Sequence, residues 1–191
     1  MKIGVLALQG AFIEHVRILQ QLDVKASLIR LPKELEGLDG LVIPGGESTT
    51  ISRLMADFHL MQPLRELAQD GLPILGTCAG MILLAKDVGG NSVPSLGAMD
   101  IRVKRNAFGR QLDSFETDLD MPALGAPPFH AIFIRAPIVE KVGPEVEVLA
   151  RLSDGTVVAA RQGKLVASAF HPELTSDPRF HRYFLNIAAS V

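Results

Sequence analysis

The chain has 191 residues, of which 48% are hydrophobic and 21% charged, with a formal net charge of −2. That is the balance of a soluble globular protein, and with neither sign gathered in a block it argues against a nucleic-acid or anionic-membrane surface while leaving room for a local basic pocket that binds a small anion. A single cysteine excludes an internal disulfide and a multi-cysteine metal site, and the expected compartment is the cytoplasm.

Ile3 to Leu8 is a nearly continuous apolar run, the pattern of a strand covered on both faces. Gln9 and Gly10 interrupt it too early for a signal peptide. Phe12, Val16 and Leu19 recur at helical spacing, so an amphipathic helix follows. Strands are predicted at Lys25 to Arg30 and Asp39 to Ile43, the latter ending in Pro44-Gly45-Gly46. Thr50 to Asp70 reads as helix in one or two pieces, with Pro63 placed to start the second and Gly71 to end it. Pro73 to Gly76 is a short buried strand and Ala79 to Lys86 a further helix. The richest apolar run, Leu72 to Ala85, is too short and too interrupted to cross a bilayer. Strands alternating with helices at this pace predict a parallel sheet between helical layers.

The second half changes rhythm. Met99, Ile101 and Val103 alternate with charged residues as in a half-exposed strand. More strands are predicted at Ser114 to Leu119, Ala131 to Arg135, Val146 to Leu152, Thr156 to Arg161 and Leu165 to Phe170, as antiparallel additions to the same sheet. Asp177 and Pro178 open a last helix that turns Phe180, Phe184 and Ile187 inward. No repeat or linker divides residues 1–191, which predicts one domain.

Three segments carry chemistry. Gly76-Thr77-Cys78-Ala79-Gly80 has the G-x-C-x-G form of a nucleophile elbow between strand and helix. The flanking glycines avoid a collision across the turn, and the helix N-terminus favours the thiolate. A buried structural cysteine is the competing reading. Phe170-His171-Pro172-Glu173 follows the last strand; Pro172 keeps the pair extended, so His171 and Glu173 point to one side and the carboxylate orients the imidazole. A plain strand-end turn with a solvated glutamate is the alternative there. His15, His59, His130 and His181 have no such context and read as surface or interface residues, and no pair has the spacing of a metal site.

Pro44-Gly45-Gly46-Glu47-Ser48-Thr49-Thr50 leaves a strand for a helix. Its glycines suit close backbone approach and an oxyanion hole. Phosphate binding fits less well, since no P-loop lysine follows and Glu47 repels it; Ser48 is the expected helix cap. Arg105 and Arg135 suit an amino-acid carboxylate, or are ordinary surface residues.

A glycine turn, a cysteine elbow and a C-terminal His-x-Glu together resemble the class I (triad) glutamine amidotransferases. Within them the set is most similar to the glutaminase subunits of pyridoxal 5′-phosphate synthase complexes. The segments that carry this are Leu8-Gln9-Gly10-Ala11 with Glu14-His15, the glycine turn, the elbow, Arg105-Asn106-Ala107-Phe108-Gly109-Arg110-Gln111, Phe133-Ile134-Arg135-Ala136-Pro137 and Phe170-His171-Pro172-Glu173-Leu174-Thr175. Met81 stands where relatives of other pathways often carry glutamine, in agreement with the vitamin B6 branch.

The resemblance implies a flavodoxin-like three-layer α/β sandwich, mostly parallel with antiparallel additions. It implies Cys78, His171 and Glu173 as the triad and the Gly46 and Ala79 N–H groups at the oxyanion. Gly46, Glu47, Ser48, Arg105, Ile134 and Arg135 are the implied glutamine-binding set. Ammonia would pass to a synthase subunit of (β/α)8-barrel fold, in a dodecameric core decorated by glutaminase subunits. Gln9, Gly10, Glu14 and His15 are the expected docking residues. Neither metal nor organic cofactor is implied for this subunit.

Overall fold

The computed structural model describes residues 1–89, 93–105 and 114–190. Its first half alternates strand and helix as the periodicity predicts. Strand β1 (Lys2–Leu6) leads to helix α1 (Phe12–Gln21), then β2 (Lys25–Ile29) and β3 (Gly40–Ile43). The predicted Thr50 to Asp70 helix is two helices, α2 (Ser48–Asp57) and α3 (Met61–Gln69). Pro63 sits in the first turn of α3, where the proline nitrogen needs no intrahelical acceptor. Strand β4 (Ile74–Thr77) and helix α4 (Ala79–Leu84) complete this half.

The predicted helix over Ala79 to Lys86 ends two residues early, because Ala85–Val88 forms strand β5 parallel to β6 (Met99–Lys104). Beyond it lie β7 (Ser114–Leu119), β8 (Phe129–Ile134), β9 (Ile138–Val142), β10 (Glu147–Arg151), β11 (Val157–Gln162) and β12 (Leu165–Ser168). Helix α5 (Arg179–Ala189) closes the chain, with the Arg179 N–H donated to Asp177 Oδ1 at 3.0 Å. Phe180, Phe184 and Ile187 are buried, as their spacing predicts.

The described strands form a sheet in the order β2-β1-β3-β4-β12-β11-β9-β6-β5, with β10 paired to β11. Strands β2, β1, β3, β4 and β12 run parallel, and β11 turns the sheet antiparallel through its pairings with β12, β9 and β10. One expectation is corrected: β7 and β8 do not extend this sheet but pair with each other as a separate two-stranded ribbon. Their half-exposed alternation suits a ribbon with one face packed and one in water.

Alternation along β4 sorts the helices into layers. A side chain on Gly76 would meet Gly80 and Leu84 of α4, whereas Thr77, one residue on, directs its hydroxyl to His15 of α1 at 3.2 Å. Helix α4 therefore covers one face and α1 the other, where His15 meets His181 of α5. The result is a flavodoxin-like α/β sandwich. None of the described helices is long and apolar enough to cross a membrane.

Candidate active site

Strands β3, β4 and β12 are adjacent and parallel, so the segments that leave them emerge at one edge of the sheet. These are the glycine turn, the cysteine elbow and the His-x-Glu segment. The carboxyl edge of a parallel sheet is where α/β proteins place their chemistry, because chain leaving each strand is free to fold over it.

Cys78 joins β4 to α4 with φ 49° and ψ −101°. A left-handed backbone with a Cβ costs about 1–3 kcal/mol and persists only where surroundings hold it. Here the Cys78 N–H is held by the Ser168 carbonyl at 2.7 Å, and Cys78 itself is buried. The elbow needs both glycines. A Cβ on Gly76 would press on the Gly80 carbonyl at 2.6 Å, and one on Gly80 would collide with the Ile43 carbonyl oxygen.

That contact sets two effects against each other. Helix propensity favours alanine over glycine by about 1 kcal/mol, while overpacking against fixed backbone costs about 1–3 kcal/mol and sometimes more. Ile43 lies in a central strand and cannot retreat. Gly80→Ala is therefore expected to lower unfolding stability in urea, and a variant as stable as the parent would show that the elbow has slack.

His171 follows β12 by three residues, its N–H bound to the Ile132 carbonyl at 2.8 Å. Its Nδ1 lies 2.7 Å from Glu173 Oε1, both side chains being buried. Pro172 and Glu173 open a short 3-10 turn, Pro172–Leu174, so the pair meets across a turn rather than along an extended chain. Burial, the largest influence on His171, would lower its pKa. Hydrogen bonding to Cys78 and Glu173, with their charges, outweighs it and raises the imidazole to about 10. For Glu173 burial likewise acts first and upward, but the His15 ring that faces it and the His171 imidazolium bonded to it hold the carboxyl below its ordinary value. The favoured state is an imidazolium between the sulfur and a carboxylate. The sulfur also lies 3.8 Å from the Ile134 carbonyl, at the end of β8.

The glycine turn packs onto this pair. A Cβ on Gly45 would overlap the His171 ring, so glycine is required there for the imidazole to reach Cys78. This role belongs to Gly45, which the glycine pattern alone does not distinguish from Gly46. The Gly45 carbonyl accepts the Ala11 N–H at 3.0 Å, and the Glu47 N–H is donated to Gln9 Oε1 at 2.8 Å. Gln9 to Ala11 thus brace the turn. Ala79 opens α4, so its N–H is among those without an intrahelical acceptor.

Glu47, not Ser48, caps α2, which corrects the expected cap. Its carboxylate accepts the Thr49 and Thr50 N–H groups at 3.0 and 2.6 Å, while Ser48 is buried in the first helical turn. The Thr50 hydroxyl is the main cause that lowers the Glu47 carboxyl to about 2, with the two N–H groups assisting against burial. Since the folded value lies below the ordinary 4.5, this stabilisation is full above about pH 4.5 and is lost as the pH falls through about 2. Glu47→Ala is expected to cost about 1 kcal/mol at neutral pH and progressively less in acid, which urea unfolding at several pH values would measure.

Arg105 reaches Glu47 at 3.5 Å, so two members of the implied glutamine set are neighbours. Ile134 and Arg135 lie where β8 ends, Arg135 exposed and left-handed at φ 45°. The rest of the Arg105 motif, residues 106–111, lies outside the described residues.

His15 and His181 are not the surface or interface residues expected from their sequence context. His15 and His181 are both 0% exposed, so His15 cannot belong to a docking surface. His15 Nδ1 meets His181 Nε2 at 2.9 Å, and His15 Nε2 stands 3.4 Å from Glu173 Oε2. The signal was present in the spacing. His15 shares the inward stripe of α1 with Ile18 and Leu19, and His181 that of α5 with Phe184 and Leu185. His59 is exposed, and His130 sits on the ribbon between Asp118 and Glu116, at 2.9 Å from each, as surface residues.

Thiol, imidazole and carboxylate thus meet at the carboxyl edge of a flavodoxin-like α/β sheet. The chain belongs to the SNO glutamine amidotransferase family, which it matches over residues 5–190. A protein of Herpetosiphon aurantiacus named pyridoxal 5′-phosphate synthase subunit PdxT is 60% identical over 190 residues, covering 98% of this chain and 100% of the relative. A protein of the same name from Moorella thermoacetica is 58% identical over 187 residues, covering 98% and 99%. A crystal structure described as a glutamine amidotransferase is 52% identical, with a TM-score of 0.92 over 97% of this chain and 98% of that one. The structure of PurLQS from Thermotoga maritima, at 14% identity and a TM-score of 0.67 over 97% of each chain, shares the fold.

Proposed function

We propose that this chain is the glutaminase subunit of a pyridoxal 5′-phosphate synthase, releasing ammonia from L-glutamine through Cys78, His171 and Glu173. The observation that carries the reading is the buried pairing of His171 with Glu173 beside Cys78, in a chain 60% identical to a protein named as such a subunit.

In this reading the Cys78 thiolate attacks the carboxamide carbon, forming the C–S bond as the carbonyl electrons move to oxygen. The Gly46 and Ala79 N–H groups receive that oxyanion, each worth about 3 kcal/mol. Imidazolium His171 gives its proton to the departing nitrogen, the C–N bond breaks, and ammonia leaves a glutamyl thioester. Neutral His171 then takes a proton from water, whose oxygen attacks the thioester to release glutamate and the thiolate. Glu173 keeps the imidazole in the working tautomer throughout. Gly46, Glu47, Ser48, Arg105, Ile134 and Arg135 are the proposed glutamine-binding residues, with the arginines suited to the substrate α-carboxylate.

The partner is a synthase subunit of (β/α)8-barrel fold in a dodecameric core, which receives the ammonia. Gln9, Gly10 and Glu14 are the proposed docking residues; His15, being fully buried, is not among them. The test is glutamate release from glutamine with and without that synthase subunit, using Cys78→Ala as the blank. Stimulation by the partner supports both chemistry and pathway. Cys78-dependent release that ignores the partner removes the pathway assignment, and no Cys78-dependent release under either condition removes the glutaminase.

A further inference from the structure

Behind the triad lies a second polar group that the chemistry above does not use. His15, His181 and the Glu173 side chain are wholly buried, on α1, on α5 and in the turn after β12. Glu173 spends Oε1 on His171 and leaves Oε2 buried without a hydrogen bond of good geometry. A bare carboxylate oxygen in such a place is costly, and His15 Nε2, at 3.4 Å, is the cationic or N–H group that faces it. The hydrogen bond of good geometry that this nitrogen makes is to the Thr77 hydroxyl, at 3.2 Å and next to the nucleophile in sequence, so an N–H there is shared between Thr77 and Glu173.

The tautomers follow from counting protons. Burial holds His15 below its ordinary pKa, against the pull of Glu173, and holds His181 well below. Each ring is then neutral with one N–H. If His15 carries its proton on Nε2, toward the carboxylate, its Nδ1 must accept, and His181 must donate from Nε2 across their 2.9 Å contact. That leaves His181 Nδ1 as a bare lone pair, and this atom is the one found buried without a partner. The opposite arrangement turns a lone pair of His15 toward the carboxylate and strands a buried N–H on His181, the rarer and costlier defect.

We infer that His15, its tautomer fixed by His181, is a positioning residue of the triad that donates its Nε2–H to the second oxygen of Glu173. The array runs Cys78, His171, Glu173, His15, His181, and it rests on the glutaminase reading above. The groups that face His15 are Glu173, His171 and Thr77 from the sheet edge and His181 from α5, with Glu14 beside it on α1. A single donor clamping Oε2 prevents the carboxylate from rotating away from His171, and two neutral rings do so without adding a charge that would compete for it.

Two measurements test this. In the wild-type chain, 15N-labelled histidine spectra are expected to show His15 and His181 neutral, each protonated on Nε2. A His15 that is cationic or protonated on Nδ1 overturns the inference, with no mutation involved. In kinetics with the synthase subunit present, His15→Phe fills the site without a donor, and His15→Gln restores an N–H at the same reach. His15→Phe is expected to lower kcat about 10- to 100-fold with KM little changed, the effect of one charge-assisted hydrogen bond, and His15→Gln to recover most of it. A folded His15→Phe with wild-type kcat, or a His15→Gln that falls as far, overturns it. Activity that persists in Cys78→Ala would instead overturn the glutaminase reading, and the labelled-histidine result is independent of that.

Discussion

Replacing Cys78 with alanine is expected to lower glutamine hydrolysis by about 10⁴-fold or more, since removing the nucleophile of a triad leaves only binding and oxyanion stabilisation. The fold should survive. The substitution deletes one sulfur at a site 7% exposed and keeps a Cβ at φ 49°, so the elbow retains the strain it already holds. The alanine variant also reports on His171. Hydrogen bonding to Cys78 is the first of the influences that raise the imidazole to about 10 against burial. Without the sulfur its titration should move down, visible in the same labelled-histidine spectra. A folded Cys78→Ala chain that keeps a sizeable share of wild-type glutamate release would remove Cys78 from the chemistry.

The second large effect is expected at Glu173. Glu173→Gln keeps the volume and exchanges one carboxylate oxygen for an NH2 group. If the amide nitrogen faces His171, it donates to Nδ1 and forces the ring proton onto Nε2, the atom needed to accept from Cys78. If the amide oxygen faces His171, the nitrogen opposes the His15 donor at 3.4 Å. Either orientation disables one contact, and the negative charge that helps hold His171 near 10 is gone. The expected loss in kcat is about 10²- to 10⁴-fold, as for loss of the orienting carboxylate in a related triad. Stability should follow with a defined sign. The folded Glu173 carboxyl lies below its ordinary 4.5, so its contribution is present above about pH 4.5 and is lost as the pH falls through the lower folded value. The difference in unfolding stability between wild type and Glu173→Gln should therefore narrow in acid. A difference that widens there would mean that the carboxylate is not held in its charged form.

The parts of the site visible in the sequence were those whose chemistry is local. Gly76, Cys78 and Gly80 announce an elbow because a strand-to-helix turn tolerates no side chains at its flanks, and the contacts with Gly80 and Ile43 bear this out. Likewise His171 and Glu173 are two residues apart, so their pairing needs only a short turn. The fold was legible for a similar reason: β3, β4 and β12 are short apolar runs bounded by turn residues, and α5 carries Phe180, Phe184 and Ile187 at helical spacing.

Tertiary structure decided what local pattern leaves degenerate. The run Ala79 to Ala85 is apolar on every side, so no period marks where α4 stops; the pairing of β5 with β6 ends it. Strand β9 is only Ile138–Val142 with Glu140 and Lys141 inside it, and its register exists through β6 and β11. In Glu47-Ser48-Thr49-Thr50 every residue can accept a helix N–H, and Gln9, which holds the Glu47 N–H from 38 residues away, helps select the cap. Most of all, the meeting of His15 with His181, 166 residues apart, cannot be read from either helix. Each helix fixes which side of itself faces inward, because burial follows the 3.6-residue period. Which inward side chains then touch depends on how the sheet sets α1 beside α5, and on the need of a buried carboxylate for a second donor.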